Sequence, residues 1–463
     1  MFNDFLDRHK KGPANVVPLR PATARPEASP MVEIDLELQN WLELKSSLHE
    51  AMLDRLNLSV IDKMDPQEFK RQIAGLVTQL LANQGRTLSP DRVQLLIEEL
   101  IFEVTGLGPL EPLLADPTIN DILVNGHQNV YVERFGKLER TQVRFRDERH
   151  LLRIIDKIVS SMGRRVDESQ PWVDARLADG SRVNAIIRPC AVDGPSLSIR
   201  KFSAKPYSMD RLVQAKALTQ PAADILRGLV EARLNVLISG GTGSGKTTML
   251  NAMSAFIDTT QRIVTIEDAA ELQLQQDHIV RLETRPASIE GTGTITQREL
   301  VRNALRMRPD RIIVGEVRGA ECFDMLQAMN TGHDGSMTTV HANTVRDALS
   351  RLEQMVTMMG ADIPLVTIRS QIASSIDIIV QLSRHSDGGR RVMSIAEVTG
   401  MEGDIITMQE IFSFHQRGKS ETGDVLGELV YTGIRPHFMD KLTAAGVKLP
   451  TSVFDAEGGH HDH

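Results

Sequence analysis

One eight-residue segment constrains the fold of this chain more than any other part of its sequence. It lies between an apolar run at 235–238 and a helical segment at 248–257, and it reads Gly240-Gly241-Thr242-Gly243-Ser244-Gly245-Lys246-Thr247. This matches the phosphate-loop pattern G-x-x-x-x-G-K-[ST] at every fixed position. A strand, a glycine-rich loop and a helix in this order predict an α/β domain that binds phosphate at one edge of its sheet.

The residue types in this segment suit a nucleoside triphosphate. Glycines let the backbone wind closely around a phosphate with its N–H groups pointing inward, and the helix N-terminus adds positive potential. Lys246 supplies a charge for the β- and γ-phosphates, and the hydroxyl of Thr247 is a ligand for Mg²⁺. We predict that residues 240–248, ending at Thr248, bind the nucleotide.

The sequence from 207 to 452 predicts a largely parallel sheet with helices on both faces. Helical segments separate four apolar runs, at 236–239, 263–266, 312–314 and 337–340. Strands that are buried on both faces have continuous apolar runs of this kind.

Polar residues follow three of these runs. Glu267 and Asp268 end the second, Glu316 follows the third after Gly315, and His341 follows the fourth. Ligands of open α/β sheets bind at the carboxyl ends of the strands, where a carboxylate can orient or deprotonate an attacking water. An acid directly after the strand would be placed to bind Mg²⁺ directly. Because Gly315 takes that place, we expect Glu316 to assist the metal through a water molecule.

The rest of the chain predicts four further segments. A stretch with five prolines between residues 9 and 31 indicates a disordered tether. Helical periodicity, with helix starts at Asp65-Pro66 and Ser89-Pro90, indicates a bundle of three helices. Short strands and one helix indicate a small α/β domain that ends near Lys205-Pro206. The predicted bounds are 1–34 for the tether, 35–106 for the bundle, 107–206 for the α/β domain and 453–463 for a flexible tail.

Composition excludes several classes of protein. The 463 residues carry a formal net charge of −8, which argues against a protein that coats nucleic acid. Two cysteines, Cys190 and Cys322, cannot form a cysteine-rich zinc site or a disulfide scaffold. Charges interrupt the first residues before a signal core could form, and no apolar stretch approaches the ~20 residues of a membrane span. We therefore predict a cytoplasmic protein.

Together these features resemble the secretion superfamily of ATPases, which serve type II and type IV secretion, type IV pili and conjugation. The phosphate loop, the acids around Glu267, RMRPDRIIVGEVRGAE (306–321) and TGHDGSMTTVHAN (331–343) occur in the family's order. The resemblance covers about residues 108–450. The stretches DARLADGSRVNAIIRP (174–189) and SLSIRKF (196–202) look most like the CpaF-type ATPase of tight-adherence (Tad) pili. The chain lacks the tetracysteine zinc module of many type II members.

The resemblance implies a RecA-like core preceded by a small PAS-like α/β domain, in a homohexamer. ATP and Mg²⁺ would bind between these two domains, and hydrolysis would move one relative to the other. Platform proteins of the inner membrane would receive that movement and add or remove pilin subunits. The chain would reach the membrane only through such partners, and stable binding of nucleic acid is not expected.

The resemblance also assigns residues. Lys246 and Thr247 would hold the triphosphate and Mg²⁺, and Glu316 would support the metal and the water. Glu267 would position or activate the attacking water, and His341 would contact the γ-phosphate.

The family also brings arginines from the N-terminal domain to the nucleotide. The candidates here are Arg182, Arg188 and Arg200. A guanidinium group can form two hydrogen bonds at once, which suits charge spread over phosphoryl oxygens.

Three functions remain open at this point. The first is a pilus-assembly motor, with or without retraction, and the second is the same ATPase driving DNA or effector transfer in a conjugation or type IV secretion system. The third is a nucleotide-gated scaffold with little hydrolysis, which the glycine at position 315 suggests.

Overall fold

The computed structural model describes residues 36–53, 55, 64–202, 207–285, 292–360 and 362–454. The predicted tether at 1–34 and the boundary at Lys205-Pro206 lie outside these residues. Contacts divide the chain after Gly108 into two units, which are described separately. The division into a bundle, an α/β domain and a core remains a prediction.

The first unit contains the three predicted helices, α1 (Leu36–Leu53), α2 (Pro66–Asn83) and α3 (Pro90–Thr105). Asp65 caps α2, because its carboxylate accepts from the backbone N–H groups of Gln67 and Glu68. Such a cap contributes about 1 kcal/mol. The apolar faces of the helices form one buried cluster that includes Leu48, Ile73 and Leu96.

The second unit begins with an antiparallel sheet of six strands. Their order across the sheet is β3-β2-β1-β6-β5-β4. Helix α4 (Glu111–Ala115) precedes the sheet, and α5 (Glu148–Ser160) buries its apolar side and contacts β4. The strands are β1 (Ile119–Asn125), β2 (Val130–Arg134), β3 (Lys137–Arg140), β4 (Trp172–Arg176), β5 (Arg182–Ile186) and β6 (Ser196–Arg200).

A sheet of nine strands forms the rest of the second unit, in the order β15-β14-β13-β12-β7-β11-β10-β8-β9. The six strands from β12 to β9 are parallel to one another, and the phosphate loop follows β7 within this group. The strands are β7 (Val236–Gly240), β8 (Ile263–Glu267), β9 (Ile279–Glu283), β10 (Arg311–Val314), β11 (Met337–Val340), β12 (Ile378–Arg384), β13 (Arg390–Glu402), β14 (Ile405–Lys419) and β15 (Val425–Tyr431).

Apolar clusters cover both faces of the parallel part. Consecutive residues of β7 alternate between them, with Val236 and Ile238 in one cluster and Leu237 in the other. The helices are α6 (Met209–Gln214), α7 (Gln220–Glu231), α8 (Lys246–Ser254), α9 (Gln297–Ala304), α10 (Glu321–Asn330), α11 (Val345–Thr357), α12 (Leu365–Ser375) and α13 (Met439–Ala444). This architecture confirms the predicted α/β fold with a RecA-like core.

The three antiparallel strands β13–β15 were not predicted. The sequence pattern predicts alternating strands and helices up to residue 452, but residues 378–431 form a meander on the parallel sheet. The packed structure also extends into the predicted tail, because Val453 is buried and the ring of Phe454 packs against Tyr431. Within the described residues, no helix combines the length and apolar content needed to cross a lipid bilayer.

Candidate nucleotide site

The phosphate loop has a backbone conformation that only glycine accommodates without strain at several positions. Gly243 and Gly245 have φ of 68° and 97°, in the left-handed region. At Gly240 a Cβ atom would lie 2.3 Å from Oγ of Ser244 and 2.9 Å from the carbonyl oxygen of Leu382. The loop therefore packs tightly against strand β12 and then enters α8 at Lys246.

The Lys246 side chain lies inside this loop. Its Nζ donates to the carbonyl oxygens of Gly240 at 3.0 Å and Gly241 at 3.1 Å. Burial lowers the pKa of Lys246, and the nearby carboxylate of Glu316 opposes that shift. The ammonium group is thus placed at the N-terminus of α8, where a phosphate would also bind.

Glu267 has the electrostatics of a general base. It ends β8, only 3% of its surface is exposed, and its Oε2 accepts from the N–H groups of Glu271 and Leu272 at 2.7 and 2.8 Å. Burial raises its pKa to about 7, and these two hydrogen bonds partly oppose the shift. A carboxylate with a pKa near neutral pH can take a proton from water.

Glu316 lines the same cleft as Glu267 but has a different environment. Its carboxylate accepts from Nη2 of Arg318 at 2.6 Å, and the same arginine pairs with Asp268 at 3.5 Å. The intervening Gly315 has a steric role: a Cβ there would lie 3.0 Å from Cγ of Glu267. A larger residue at position 315 would therefore displace the candidate base.

The residues present fit a magnesium–triphosphate. Oγ of Ser244 and Oε1 of Glu267 are buried, and neither has a hydrogen-bond partner within the described part of the chain. Buried polar atoms of native proteins are normally bonded, so partners from a ligand or its water suit these two oxygens. The Thr247 hydroxyl and the Glu316 carboxylate supply oxygen ligands, which Mg²⁺ prefers.

The two histidines of the fourth motif occupy different places. His341 follows β11 and lines the same cleft as the phosphate loop. Nδ1 of His333 lies 3.3 Å from the carbonyl oxygen of Ala328, at the end of α10, and His333 does not line the cleft. Only His341 is placed to contact a nucleotide.

The phosphate loop faces the six-stranded sheet across a cleft of about 500 Å³. Arg182 and Arg200 of that sheet line the cleft. Arg182 pairs with Glu271 at 3.6 Å, and Arg200 pairs with Asp121 at 3.3 Å. The residues of the sequence prediction that the structure brings together in the cleft are Arg182, Arg200, Thr242, Gly243, Ser244, Gly245, Lys246, Thr247, Thr248, Glu267, Glu316 and His341.

Arg188 lies elsewhere. It follows β5, pairs with Glu148 at the start of α5 at 3.4 Å, and is absent from the residues that line the cleft. Strand β5 ends at Ile186, so the alternation that places Arg182 on the cleft side does not extend to position 188.

Several cleft residues were not predicted from the sequence, and three of them are Glu133 on β2, Arg384 at the end of β12 and Arg390 at the start of β13. The two arginines flank a hairpin turn. A hairpin signal was present in the sequence, since Asp387-Gly388 lies between two strand-like stretches. Nothing in the sequence indicated that this turn meets the phosphate loop.

Comparison with known protein families identifies the family of this chain. The sequence pattern of the family described as "Type II/IV secretion system protein" matches residues 103–420. The chain belongs to this family. As a type II/IV secretion system protein with a complete phosphate loop, it is an ATPase.

The chain is also similar to individual known proteins. A putative conjugal transfer protein of Mycobacterium tuberculosis is 40% identical over 335 residues, which cover 71% of this chain and 94% of the relative. The conjugal transfer protein TrbB of Rhizobium radiobacter is 33% identical, covering 62% of this chain and 86% of the relative. The crystal structure of the VirB11 ATPase from the Brucella suis type IV secretion system is 30% identical, covers 62% of this chain and 95% of that one, and gives a TM-score of 0.34.

Proposed function

We propose that this ATPase is a homohexameric motor that hydrolyses ATP to drive assembly of a Tad-type pilus, with or without its retraction, through platform proteins of the inner membrane. The observation that carries the proposal is the cleft itself. It places arginines of one sheet opposite the phosphate loop of another, so that a bound triphosphate would contact both. Loss of the γ-phosphate would weaken the attraction between the two sides.

The phosphate-loop side would bind the substrate. The loop N–H groups, Lys246 and the N-terminus of α8 would hold the triphosphate. Thr247 and Glu316 would hold Mg²⁺, which when bound neutralises phosphate charge. Glu267 would take the proton of the attacking water.

The opposite side would stabilise the transition state. Arg182 and Arg200 carry guanidinium groups that suit the charge on the phosphoryl oxygens. Arginines in this role accelerate other nucleotide hydrolases by on the order of 10³–10⁵. Because these residues belong to the N-terminal sheet, hydrolysis and product release would alter the position of that sheet relative to the core.

Three observations bear on the choice between the candidate biological roles. The segments at 174–189 and 196–202 support a Tad pilus motor acting at the inner membrane through its partners. The names of the relatives, a putative conjugal transfer protein and TrbB, support a second candidate, transfer of DNA or effectors. The net charge of −8 favours protein partners over DNA.

A strain whose only copy carries Lys246→Ala tests the proposal. We expect no phosphate release from the purified variant and no surface pili, with an unchanged melting temperature. Normal piliation would contradict the pilus role. Piliation that persists while conjugation or effector transfer is lost would support the second candidate.

The gene neighbourhood is a second test of the biological role. Neighbouring genes for pilin, prepilin peptidase and platform proteins favour pili, whereas relaxase and channel genes favour transfer.

A further inference from the structure

A row of charged side chains crosses one face of the six-stranded sheet. Five adjacent strands contribute one residue each. Each of these residues lies directly opposite the corresponding residue of the neighbouring strand. Residues that are directly opposite in antiparallel strands lie on the same face. We call this set the charged row; its members are Glu133 on β2, Asp121 on β1, Arg200 on β6, Arg182 on β5 and Arg176 on β4.

The ends of the charged row pair with residues of the nine-stranded sheet. At one end Arg176 pairs with Glu283 of β9 at 3.0 Å. At the other end Glu133 pairs with two arginines, Arg390 at 3.3 Å and Arg384 at 3.7 Å. The row that carries Arg182 and Arg200 is thus attached at both sides of the cleft.

The Glu133 end contacts the phosphate loop. Nη2 of Arg390 donates to Glu133, and Nε of the same arginine donates to the carbonyl oxygen of Gly243 at 3.0 Å. One guanidinium group therefore joins the charged row to the loop that would hold the phosphates. The connection from Glu133 through Arg390 to Gly243 is called the Glu133 bridge below.

Two further contacts support the Glu133 bridge. Nη2 of Arg384 donates to the carbonyl oxygen of Gly136, in the turn that follows β2. At Gly136 a Cβ would lie 2.9 Å from the carbonyl oxygen of Gly388, so the two turns meet backbone to backbone. The Glu133 side chain is 11% exposed, whereas that of Glu283 at the other end of the row is 43% exposed. Ion pairs gain strength as water is excluded, so the Glu133 end holds the sheet more firmly.

We propose that Glu133 is a positioning residue for ATP hydrolysis: through Arg390 and Arg384 it sets the distance at which Arg182 and Arg200 face the triphosphate. The inference rests on the proposed function, since it assumes that these arginines act on ATP. Glu133 itself would contact neither substrate nor metal. It would act through the hydrogen-bonded sheet: a shift of β2, which carries Glu133, would also shift the strands that carry Arg182 and Arg200.

The test is steady-state ATP hydrolysis by the full chain with Glu133→Gln, which keeps the shape of the side chain and removes its charge. We expect kcat to fall about tenfold, because small displacements of a catalytic group are costly. KM for ATP should stay within about twofold, since the loop and Lys246 still bind the phosphates. Glu139→Gln is the matched control: Glu139 lies on β3, pairs at the surface with Arg134 at 3.8 Å, and its loss should leave both constants unchanged.

Combined variants separate positioning from a general structural role. In a background of Arg200→Ala, adding Glu133→Gln should reduce kcat by clearly less than the tenfold expected in the wild type, because one of the two arginines that Glu133 positions is gone. Arg390→Lys, which can reach Gly243 or Glu133 but not both, should reproduce the loss if Glu133→Gln does not fold. Full activity of Glu133→Gln, or losses that multiply in the double variant, would overturn the inference. A wild-type chain without hydrolysis would instead overturn the proposed function.

Discussion

The two sides of the cleft differ in how they hold their functional groups. On the phosphate-loop side the groups are fixed by buried strands and backbone contacts: β7 and β8 are buried along their whole length, and Glu267 is held by two N–H groups. On the opposite side Arg182 and Arg200 lie on a sheet face, partly exposed and held by single ion pairs.

This difference indicates a division of labour. Preorganised backbone and buried groups do not need to reorganise during the reaction, which suits binding and chemistry. Exposed ion pairs contribute only about 0–1 kcal/mol each, so an arginine can exchange its carboxylate partner for a phosphate at little cost. The fixed side therefore suits catalysis, and the exchangeable side suits a moving part.

The largest effect is expected on the fixed side. Lys246→Ala should reduce ATP hydrolysis to background, because it removes the buried ammonium group from the loop. Phosphate release measures this, and Lys419→Ala, at the end of β14 and away from the cleft, is the matched control. Hydrolysis that survives in Lys246→Ala would refute the assignment of the fixed side.

The next effect concerns the base. Glu267→Gln should lower kcat by about 10²–10⁴-fold. The pKa of Glu267 is raised to about 7, so its carboxylate accepts protons above that pH and is protonated below it. In the wild type kcat/KM should therefore fall as pH drops below about 7 and level off above about 8, because kcat/KM reports the pKa values of the free enzyme. A pH profile measures the acid limb, and an identical limb in Glu267→Gln would assign it to another group.

A smaller effect is expected on the exchangeable side. Arg200→Ala should lower kcat by about 10²-fold, less than a fully fixed arginine finger provides. Arg188→Ala is the matched control, because Arg188 pairs with Glu148 away from the cleft, and its kcat should equal that of the wild type. Equal losses in both variants would show that the arginines act on folding instead.

The smallest loss of kcat is expected for a variant of Gly315, which tests how closely this residue packs against Glu267. Gly315→Ala places a Cβ 3.0 Å from Cγ of Glu267, and the resulting shift should lower kcat about tenfold. Gly75→Ala on α2 is the control, since a Cβ there meets no atom within 4 Å. If Gly315→Ala hydrolyses ATP at the wild-type rate, the base tolerates displacement and the fixed side is less rigid than its contacts indicate.

The same contrast explains what could be predicted from the sequence. The phosphate loop, the parallel strands and the acids at their ends are local signals, because a buried strand needs an apolar run and the loop needs its glycines. Such signals are enough to predict Glu267 and His341 at the edge of the sheet, and both residues line the cleft there.

The exchangeable side depends on pairing between distant segments, which no local pattern reveals. Arg182 and Arg188 look alike in the sequence, but β5 ends between them and only Arg182 reaches the cleft. Arg390 meets Glu133 across 257 residues of sequence, through a meander that the alternation of strands and helices did not predict.

Binding of Mg-ATP tests the division of labour most directly. The dissociation constant of Arg200→Ala, measured by calorimetric titration, should lie within about threefold of the wild-type value. Arg200 gives up its ion pair with Asp121 when it contacts the bound phosphate, so its net gain in the ground state is small and its main contribution is to the transition state. The dissociation constant of Lys246→Ala should be at least about tenfold higher than that of the wild type, because Lys246 contacts the bound phosphates. Equal weakening in the two variants, or weaker binding by Arg200→Ala than by Lys246→Ala, would contradict the account.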